Sequence, residues 1–358
     1  MSKPISIIVP TYNEADSITP LVEKLHAALA GYNYEIIFVD DDSQDGTGTI
    51  ASGLSARYPV KLMVRKGKKG LASAVVDGLQ QVSNDIVGVM DADLQHPPEA
   101  VPALVREIEN GADVAIGSRY VKGGEFPDWG PVRSVISKGA IFLSHLFLPS
   151  TRKISDPVSG FFFFNRQVVS GAELKPTGYK ILLELLIEGS YQKVAEVPYS
   201  FQLRHLGQSK LGARQQIDYL KHLFSLMRRK GELLRFFKFC LVGGSGVLVN
   251  MGLLWLLTEF AGLFYLLSAA ISIEISIISN FTLNDYLTFP DRRSRGAGRF
   301  LQRLAKFNLV SLAGLGLNMG VLWLLTNVFG VYYMLSNLCG IAVATIWNYV
   351  ANFWWTWK

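Results

Sequence analysis

The sequence predicts an α/β domain built on a mostly parallel sheet, followed by an all-α membrane domain of four helices. Up to about residue 200, short apolar runs alternate with amphipathic stretches of helical period, a pattern typical of strands and helices around a parallel sheet. Beyond residue 230, four apolar stretches each reach the length that crosses a bilayer. The 358 residues are 49% hydrophobic with a mean hydropathy of +0.25, which is high for a wholly soluble protein.

Five runs in the first domain have the length and composition of buried strands, namely residues 5–9, 35–39, 61–64, 86–90 and 113–116. Four stretches between them are predicted as helices, over residues 16–29, 47–55, 71–82 and 98–108. In a parallel sheet, ligands bind beyond the carboxyl ends of the strands. This rule selects the polar segments that follow the first, second and fourth strands: residues 11–14, 40–42 and 91–95.

The net charge of +6 is concentrated in two segments. Residues 203–238 contain nine basic and two acidic side chains, and residues 290–306 contain six basic and one acidic. The rest of the chain is mildly acidic, so the charge does not indicate a protein that binds nucleic acid. Because both basic segments adjoin apolar stretches, they indicate contact with the surface of a lipid bilayer.

One helix ahead of the membrane domain is predicted to be amphipathic and basic. Between residues 212 and 232, one side carries Ile217, Leu220, Phe224 and Met227. Beside membrane spans, such a helix is more typical of the bilayer surface than of a soluble core. Residues 135–148 show a related pattern, which a second surface helix and packing into the core explain equally well.

The four predicted spans are related by an internal duplication. They lie near residues 236–258, 263–283, 305–326 and 331–353. Runs 68 positions apart are identical in several places, such as residues 250–252 and 318–320. Each copy is a hairpin of two helices, over residues 235–289 and 303–357. Because a hairpin crosses the bilayer twice, the copies have the same orientation and form a parallel repeat.

These features predict three parts, which are an α/β domain over residues 1–211, an amphipathic interface helix over 212–233 and a transmembrane domain over 234–358. The loop between the hairpins holds five arginines, whereas the connections within each hairpin contain no Lys or Arg. By the positive-inside rule, that loop, the N-terminal domain and the C-terminus of this multi-pass cell-membrane protein face the cytoplasm. No cleavable signal peptide is predicted, because no basic region precedes a long apolar core at the N-terminus.

Glu274 lies near the middle of the second predicted span, where an ionisable group by default indicates a functional site. Asparagines at repeat-related positions indicate another role, a polar seam between helices that comprises Asn250, Asn280, Asn318 and Asn348. A protonated Glu274 that is hydrogen-bonded within this seam is the more economical interpretation.

Asp91 and Asp93 follow the fourth predicted strand and are separated by one residue. Paired carboxylates at a strand end suit a hard divalent cation that also contacts a diphosphate, such as Mg²⁺ or Mn²⁺. Gln95 offers a further oxygen ligand. Two aspartates at this spacing also occur in solvated surface turns, but their position after a buried strand, at the predicted ligand edge, favours a metal site.

Six segments of the chain resemble the family 2 glycosyltransferases of the GT-A fold. They are VPTYNE, VDDDSQDGT, DADLQHPPE, GSRYVKGG, DPVSGFF and RHLGQSKLG, which begin at Val9, Val39, Asp91, Gly117, Asp156 and Arg204. The chain is most similar to the dolichol-phosphate mannose synthases of the prokaryotic type, which carry a four-helix membrane domain. This resemblance covers essentially the whole chain. It implies metal-dependent transfer from GDP-mannose to a polyprenyl (dolichyl) phosphate.

The resemblance also implies roles for individual residues. Contacts to the donor's base and ribose correspond to Pro10, Tyr12, Glu14, Val39 and Asp41. The diphosphate and metal site corresponds to Asp91, Ala92, Asp93 and Gln95, and a contact to the donor or the acceptor phosphate corresponds to Arg119. The resemblance implies that the catalytic residues are Asp91, Asp93 and Arg119. Residues that close over the diphosphate correspond to Arg204 and Lys210, and contacts to the acceptor phosphate to Arg133 and Ser137. For the aspartates at 40–42, capping of the following helix is an alternative that could hold for one of the three.

A phosphate acceptor would remove the need for a catalytic base. Its second pKa is about 6, so it is mostly dianionic at neutral pH and needs only cations that align it with the anomeric carbon. Asp156 is therefore expected to position an arginine or the substrate. A single in-line displacement would invert an α-linked donor to a β-linked lipid phosphate sugar. UDP-glucose remains an alternative donor, and translocation of a lipid-linked sugar an alternative function.

Overall fold

The computed structural model of the protein describes residues 3–125, 131–175, 177–202, 213–294 and 296–358. The chain divides into two compact units, Met1–Met227 and Arg228–Lys358. The first contains the predicted sheet and the second contains the predicted membrane helices.

The first unit is built on one sheet. Its strands are β1 Ile5–Thr11, β2 Tyr34–Asp40, β3 Val60–Val64, β4 Ile86–Val89, β5 Val114–Ser118, β6 Phe162–Asn165 and β7 Val194–Pro198. They are ordered β3-β2-β1-β4-β6-β5-β7, and every pair is parallel except the two that β6 makes with β4 and β5. All five predicted strands are present, which confirms the mostly parallel sheet. The sequence prediction lacks β6 and β7.

Helices connect the strands and cover the sheet. They are α1 Ala15–Ala28, α2 Thr47–Leu54, α3 Leu71–Gly78, α4 Val101–Glu109, α5 Pro131–Phe147, α6 Ile181–Glu188 and α7 Ala213–Arg229. The first four correspond to the predicted helices, although α3 ends in a 3₁₀ turn at Leu79–Gln81 and α4 is preceded by another at Pro98–Ala100.

Two apolar cores lie on opposite faces of the sheet, because successive side chains of a strand point to opposite sides. In β1, Ile5 and Ile7 belong to one core and Ile8 to the other. A glycine is required in β4, where a Cβ at Gly88 would lie 2.3 Å from the ring of Phe163 in β6. The packed sheet therefore gives the loops at its carboxyl edge a rigid base.

Helix α7 has two different apolar sides. It buries Tyr219, Leu223 and Leu226, and His222 Nε2 lies 2.7 Å from Glu184 Oε2 on α6. About half of the surface is exposed in three of the four residues predicted on the opposite side, which are Ile217, Leu220 and Phe224. The fourth, Met227, is buried. The helix is thus packed on the first unit and still presents an apolar face.

Helix α5 shows the same combination. Ile141 and Leu146 are buried, whereas Val135 and Phe142 are exposed. The hydroxyl of Tyr219 on α7 donates to the carbonyl of Ala140 at 2.6 Å, which ties the two helices together. Core packing and an exposed apolar face therefore both occur along residues 135–148.

In the second unit, the described residues contain four helices that are long and apolar enough to cross a membrane. They are α8 Glu232–Trp255, α9 Tyr265–Leu283, α10 Ala297–Trp323 and α11 Tyr333–Ala351. Each continues into a five-residue π-helical turn, at Leu256–Phe260, Asn284–Thr288, Leu324–Val328 and Asn352–Thr356. These helices confirm the four predicted spans.

The duplication is repeated in the side-chain contacts. Thr288 donates to Asn284 at 2.7 Å, and their repeat mates Thr356 and Asn352 form the same bond at the same distance. Asn280 fills the space beside Gly246, just as Asn348 fills the space beside Gly314. At Asn250 the partner is Ser272, which donates at 2.8 Å. The predicted polar residues therefore lie within each hairpin.

Glu274 forms a hydrogen bond with a residue outside the four predicted asparagines. Asn308 of α10 donates to its Oε1 at 3.2 Å. The repeat mates of this pair, Ala342 and Cys240, cannot form an equivalent bond. The contact joins α9 to α10, and hence the first hairpin to the second, which agrees with a structural role for Glu274.

Candidate active site

The functional cavity opens where the strand order of the sheet reverses. Strands β2 and β3 lie on one side of β1, while β4 lies on the other. The loops that follow β1 and β4 therefore separate and leave a crevice at the carboxyl edge. A cavity of about 490 Å³ occupies this position, and its lining includes Pro10, Thr11, Tyr12, Glu14, Asp41, Asp91, Ala92, Asp93, Gln95, Arg119 and Ser137. All three polar segments selected from the sequence reach it.

Each of these three segments contains a residue in the left-handed backbone region. The φ angles are 53° at Asn13, 58° at Asp42 and 60° at Leu94. Non-glycine residues adopt this conformation only where the surrounding structure holds it, most often in tight turns and functional loops. The three loops are therefore sharply turned at the cavity edge, which brings the residues beside them into the cavity.

Asp41 is held by partners that the sequence prediction lacks. Arg65 Nε donates to Asp41 Oδ1 at 2.8 Å, and the amide of Gly70 donates to Oδ2 at 2.7 Å. Arg65 is almost fully buried and also reaches Asp77 at 3.2 Å. It directly follows β3, so the strand-end rule, extended to the third strand, would have selected it.

Asp40 has a structural role beside Asp41. It accepts hydrogen bonds from the hydroxyl of Thr11 and the amide of Ser43, both at 2.9 Å. The first contact joins the ends of β1 and β2, and the second caps the turn after β2. A capping role thus describes Asp40, although it caps this turn and not the following helix.

Tyr12 lies against Lys69, a second residue that the sequence prediction lacks. Lys69 Nζ donates to the hydroxyl of Tyr12 at 3.1 Å and lies 4.7 Å from the centre of its ring. Both side chains line the cavity. The charge of Lys69 adds a cation to the part of the cavity where the loops after β1 and β2 meet.

Asp91 and Asp93 are held by local hydrogen bonds. The amide of Gln95 donates to Asp93 Oδ1, and the amide of Asp91 donates to Nδ1 of His96, both at 3.1 Å. Burial lowers the pKa of His96 to about 4, so its ring is neutral at pH 7 and can accept at Nδ1. A Cβ at Gly160 would lie 3.2 Å from Asp91 Oδ2, so a larger residue there would crowd the carboxylate.

Arg119 is fixed by Asp156 beneath the cavity. Its Nε and Nη2 lie 2.8 and 3.0 Å from the two carboxylate oxygens of Asp156, which is fully buried. Glu196 on β7 in turn accepts the amide of Asp156 at 3.1 Å. Burial acts to lower the pKa of Arg119, but the charge and hydrogen bonds of Asp156 outweigh it and raise this pKa. The guanidinium is permanently charged and oriented, as expected if Asp156 positions an arginine.

Lys180 is a further cation in the cavity that the sequence prediction lacks. It precedes α6, and its Nζ donates to the carbonyl of Val158 at 2.7 Å. Burial, followed by repulsion from Arg119, lowers the pKa of Lys180 to about 8. No pattern in the sequence marks this residue, because its position depends on the fold around residues 156–160.

Of the remaining predicted site residues, one lines the cavity, one is buried in the core and three have side chains outside the described part of the chain. Ser137 lines the cavity, and its hydroxyl lies 2.9 Å from the hydroxyl of Tyr120. Val39 is buried in the core beneath the loops. Arg133 belongs to α5, but its side chain lies outside the described part of the chain, and so do Arg204 and Lys210 as whole residues.

The chain matches two known families along its length. Residues 6–171 match glycosyl transferase family 2. Residues 238–357 match the GtrA/DPMS transmembrane domain. The two matched segments correspond to the sheet unit and to the four-helix unit.

Curated relatives share this arrangement. The chain is 47% identical to a dolichol-phosphate mannosyltransferase of Pyrococcus furiosus over 353 residues, which is 99% of both chains. It is 40% identical over 235 residues to the enzyme of that name from Mycosarcoma maydis, covering 62% of this chain and 79% of the relative. The enzyme of that name from Saccharomyces cerevisiae is 38% identical over 239 residues, which cover 63% of this chain and 88% of the relative.

Solved structures agree on the fold of the sheet unit. Two crystal structures of glucosyl-3-phosphoglycerate synthase from Mycobacterium tuberculosis, one with phosphoglyceric acid and one with Mn²⁺, UDP-glucose and phosphoglyceric acid, each give a TM-score of 0.51. They are 21% and 22% identical and cover 63% of this chain and 80% of their own. This similarity confirms the expected GT-A-like fold. Given also the full-length match to the Pyrococcus furiosus enzyme, the chain is a multi-pass membrane glycosyltransferase that belongs to the dolichol-phosphate mannosyltransferase family.

Proposed function

We propose that the protein transfers a mannosyl residue from GDP-mannose to a polyprenyl phosphate, with inversion and with Mg²⁺ or Mn²⁺ bound. The observation that carries this proposal is the composition of one cavity. Its lining combines paired aspartates at the end of β4 with Arg119 and Ser137, which suits a metal-bound diphosphate and a second phosphate together. The full-length match to a dolichol-phosphate mannosyltransferase supports the choice of sugar and acceptor.

Asp91, Asp93 and Gln95 fit a divalent cation that is shared with the substrate. Among the described residues, no group of three His, Cys, Asp or Glu could hold a metal by itself. Mg²⁺ is commonly held by one or two carboxylates together with substrate phosphates, so two aspartates and an amide oxygen suffice. His96 supports this assignment, because its neutral ring accepts the Asp91 amide and holds that loop in place. When bound, the cation would neutralise charge on the leaving diphosphate.

The donor's nucleoside would lie along the loops after β1 and β2. In this proposal Pro10, Tyr12, Glu14 and Asp41 contact the base and ribose, whereas Val39, which is buried in the core, supports the loop that carries Asp41. Carboxylates accept hydrogen bonds from guanine N–H groups and from ribose hydroxyls. Arg65 fixes the orientation of Asp41 before the donor binds, which reduces the ordering cost of recognition.

The acceptor phosphate needs cations and no base. Arg119 would contact the acceptor phosphate from below the cavity, and Arg133 and Ser137 would contact it from α5. Both carboxylate oxygens of Asp156 accept hydrogen bonds from Arg119, which supports a role for Asp156 in positioning this arginine. The phosphate oxygen attacks the anomeric carbon opposite the leaving diphosphate, and this single displacement gives a β-linked product. Arg204 and Lys210 would close over the diphosphate.

The membrane topology is also proposed. The catalytic domain over residues 1–211, the loop between the hairpins and the C-terminus would face the cytoplasm, because the arginines are concentrated there. The interface helix over residues 212–233 would lie on the bilayer and precede the transmembrane domain over residues 234–358. Exposed Ile217, Leu220 and Phe224 support this placement, since they would enter the lipid.

A donor panel tests the proposal. The purified full-length protein in lipid vesicles is given polyprenyl phosphate with GDP-mannose, UDP-glucose or other sugar nucleotides, and the release of GDP or UDP is measured with and without EDTA. We expect turnover with GDP-mannose only, and its loss in EDTA. A preference for UDP-glucose would contradict the donor assignment. Movement of labelled lipid across the vesicle membrane without product formation would favour a translocase.

A further inference from the structure

Lys180 lies in the catalytic cavity, yet none of the roles above uses it. Its Nζ donates to the carbonyl of Val158 at 2.7 Å, and the ring of Tyr179 lies 4.8 Å from it. An ammonium group has three N–H donors. Within the described part of the chain, the Val158 carbonyl is the hydrogen-bond acceptor of this group, so donors remain for a molecule that enters the cavity.

The positive charge of Lys180 is only partly compensated. Burial and Arg119 both disfavour the charged form, while Asp156 and Asp91 favour it. Asp156 is already engaged by Arg119 in two hydrogen bonds, and Asp91 is the proposed metal ligand. A buried charge in this situation is stabilised by an opposite charge within a few ångströms. An anion bound beside Lys180 would supply it.

The surroundings of Lys180 favour the acceptor phosphate over the donor diphosphate. In the proposed function, Asp91 and Asp93 would hold a cation that matches the charge on the diphosphate. The chain just before Lys180 instead packs toward α5, because a Cβ at Gly178 would lie 3.3 Å from Cβ of Asp218 on α7. The next residue of α7, Tyr219, donates to the carbonyl of Ala140 on α5 at 2.6 Å, three residues from Ser137. These contacts connect Lys180 to the side of the cavity where the acceptor phosphate is proposed to bind.

We propose that Lys180 Nζ donates to the acceptor phosphate beside Arg119 and holds it next to the anomeric carbon. This inference rests on the proposed function. A lone pair of the phosphate oxygen forms the new bond to the anomeric carbon, the bond from that carbon to the diphosphate oxygen breaks, and its electron pair leaves with the nucleoside diphosphate. Lys180 keeps its proton throughout. Its charge offsets the repulsion between the two anions.

The first test separates acceptor binding from donor binding. Lys180→Met keeps the approximate length of the side chain and removes the charge, whereas Lys180→Arg keeps the charge. In the full-length protein with polyprenyl phosphate, we expect Lys180→Met to raise the acceptor KM by about tenfold or more, as for loss of a charge-assisted hydrogen bond. The donor KM should stay within about twofold. Lys180→Arg should recover most of the acceptor affinity.

The matched control is Lys175→Met, because Lys175 is an exposed lysine in the same part of the chain and pairs with Glu173. It should leave both KM values unchanged. An equal rise in both KM values for Lys180→Met, or no change in either, would overturn the proposal. Both variants are assayed with the donor that the wild-type protein accepts. A wrong assignment of GDP-mannose therefore does not affect the outcome for Lys180.

A second measurement uses the wild-type protein and therefore does not depend on the folding of a variant. Lysines are labelled with acetic anhydride, and modification of Lys180 is read by mass spectrometry. Polyprenyl phosphate alone should protect Lys180 several-fold, while GDP with Mn²⁺ should protect it much less. Protection by GDP with Mn²⁺ that equals or exceeds protection by polyprenyl phosphate would overturn the assignment to the acceptor.

Discussion

Arg119 and Asp156 form a bidentate ion pair, with Nε and Nη2 of the arginine 2.8 and 3.0 Å from the two oxygens of a fully buried carboxylate. The amides of Ser155 and Asp156 both donate to Glu196, which fixes the carboxylate from behind. The guanidinium is therefore oriented before any substrate binds. Such preorganisation lets a cation stabilise an anionic reaction without a reorganisation cost during the step.

Replacing Asp156 by asparagine should impair both activity and stability. The change leaves the shape intact but leaves Arg119 buried without its counter-charge, and breaking a buried ion pair costs about 3–5 kcal/mol. We expect kcat/KM to fall by about 100-fold or more, and the midpoint of thermal unfolding to fall by several degrees. Asp16→Asn, at an exposed position on α1, is the control. Near wild-type activity in Asp156→Asn would exclude the positioning role.

Asp93→Ala should abolish metal-dependent turnover without unfolding the protein. Asp93 lies on a loop at the cavity, so removal of its carboxylate takes away a proposed metal ligand and leaves both apolar cores intact. We expect activity below about 1% of wild type at saturating Mn²⁺, with an unchanged unfolding midpoint. Asp85→Ala is the matched control, because Asp85 is an exposed aspartate at the opposite end of the same strand. Full activity in Asp93→Ala would remove the metal assignment.

Arg133→Ala should weaken the acceptor more than the donor. Arg133 lies one helical turn before Ser137 on α5, so both residues share one side of the helix, and Ser137 lines the cavity. We expect the acceptor KM to rise by about tenfold while the donor KM changes by less than about twofold. Lys138→Ala, at an exposed position on the same helix, should change neither value. A larger effect on the donor KM would reject the proposed acceptor site.

Stability in acid should depend on Glu35. Burial acts to raise the pKa of Glu35, but hydrogen bonds from Lys61, Ser6 and Ser83 outweigh it and hold the pKa below its usual value. A carboxyl whose pKa is lowered by folding stabilises the protein above its unfolded pKa, and this contribution is lost as the pH falls through the folded pKa. Glu35→Gln should therefore lower the unfolding midpoint at pH 7.

The pH dependence distinguishes this charge effect from a packing effect. The difference between wild type and Glu35→Gln should begin to shrink as the pH falls below the usual glutamate pKa of about 4.3, and should vanish as the pH falls through the lower pKa of folded Glu35, because wild-type Glu35 then also becomes protonated. Thermal unfolding of both proteins from pH 7 to pH 3 measures it. A difference that stays constant across this range would show that the lost hydrogen bonds, and not the charge, account for the effect.

Much of the active-site cavity follows from local sequence patterns. Apolar runs identify β1, β2 and β4, and the position of a polar residue after a strand is enough to place Tyr12, Asp41 and Asp91 at one edge of the sheet. Length and apolar composition are likewise enough to identify the four spans. These inferences succeed because each depends on residues close together in the chain.

The parts that the sequence prediction lacks depend on contacts between distant residues. Strand β6 has four residues within a run of phenylalanines, and it pairs antiparallel with strands that precede it by more than forty residues. Lys180 reaches the cavity through a bond to Val158, 22 residues earlier in the chain. No periodicity relates these positions, so only the folded structure reveals them.

The two hairpins of the membrane unit are joined by a polar contact that the duplication does not repeat. Trp357 Nε1 donates to Asp285 Oδ1 at 2.8 Å, across 72 residues, and Arg303 Nη2 donates to Asp285 Oδ2 at 3.3 Å. Asp285 is fully buried. At the repeat-related positions, Trp357 corresponds to Phe289 and Asp285 to Phe353. The repeat-related positions therefore carry two aromatic rings, whereas the contact of Asp285 is ionic.

This difference predicts unequal effects on the stability of the membrane unit. Asp285→Ala leaves Arg303 buried without its counter-charge, and should lower the unfolding midpoint more than Trp357→Phe, which removes one hydrogen bond to a charged group worth about 1.5–3 kcal/mol. The double variant should be less destabilised than the sum of the two, because both changes remove the same bond. Trp355→Phe, at an exposed tryptophan two residues earlier, is the control and should have little effect. Additive effects in thermal unfolding of the detergent-solubilised protein would contradict a coupled contact, since independent sites contribute independently.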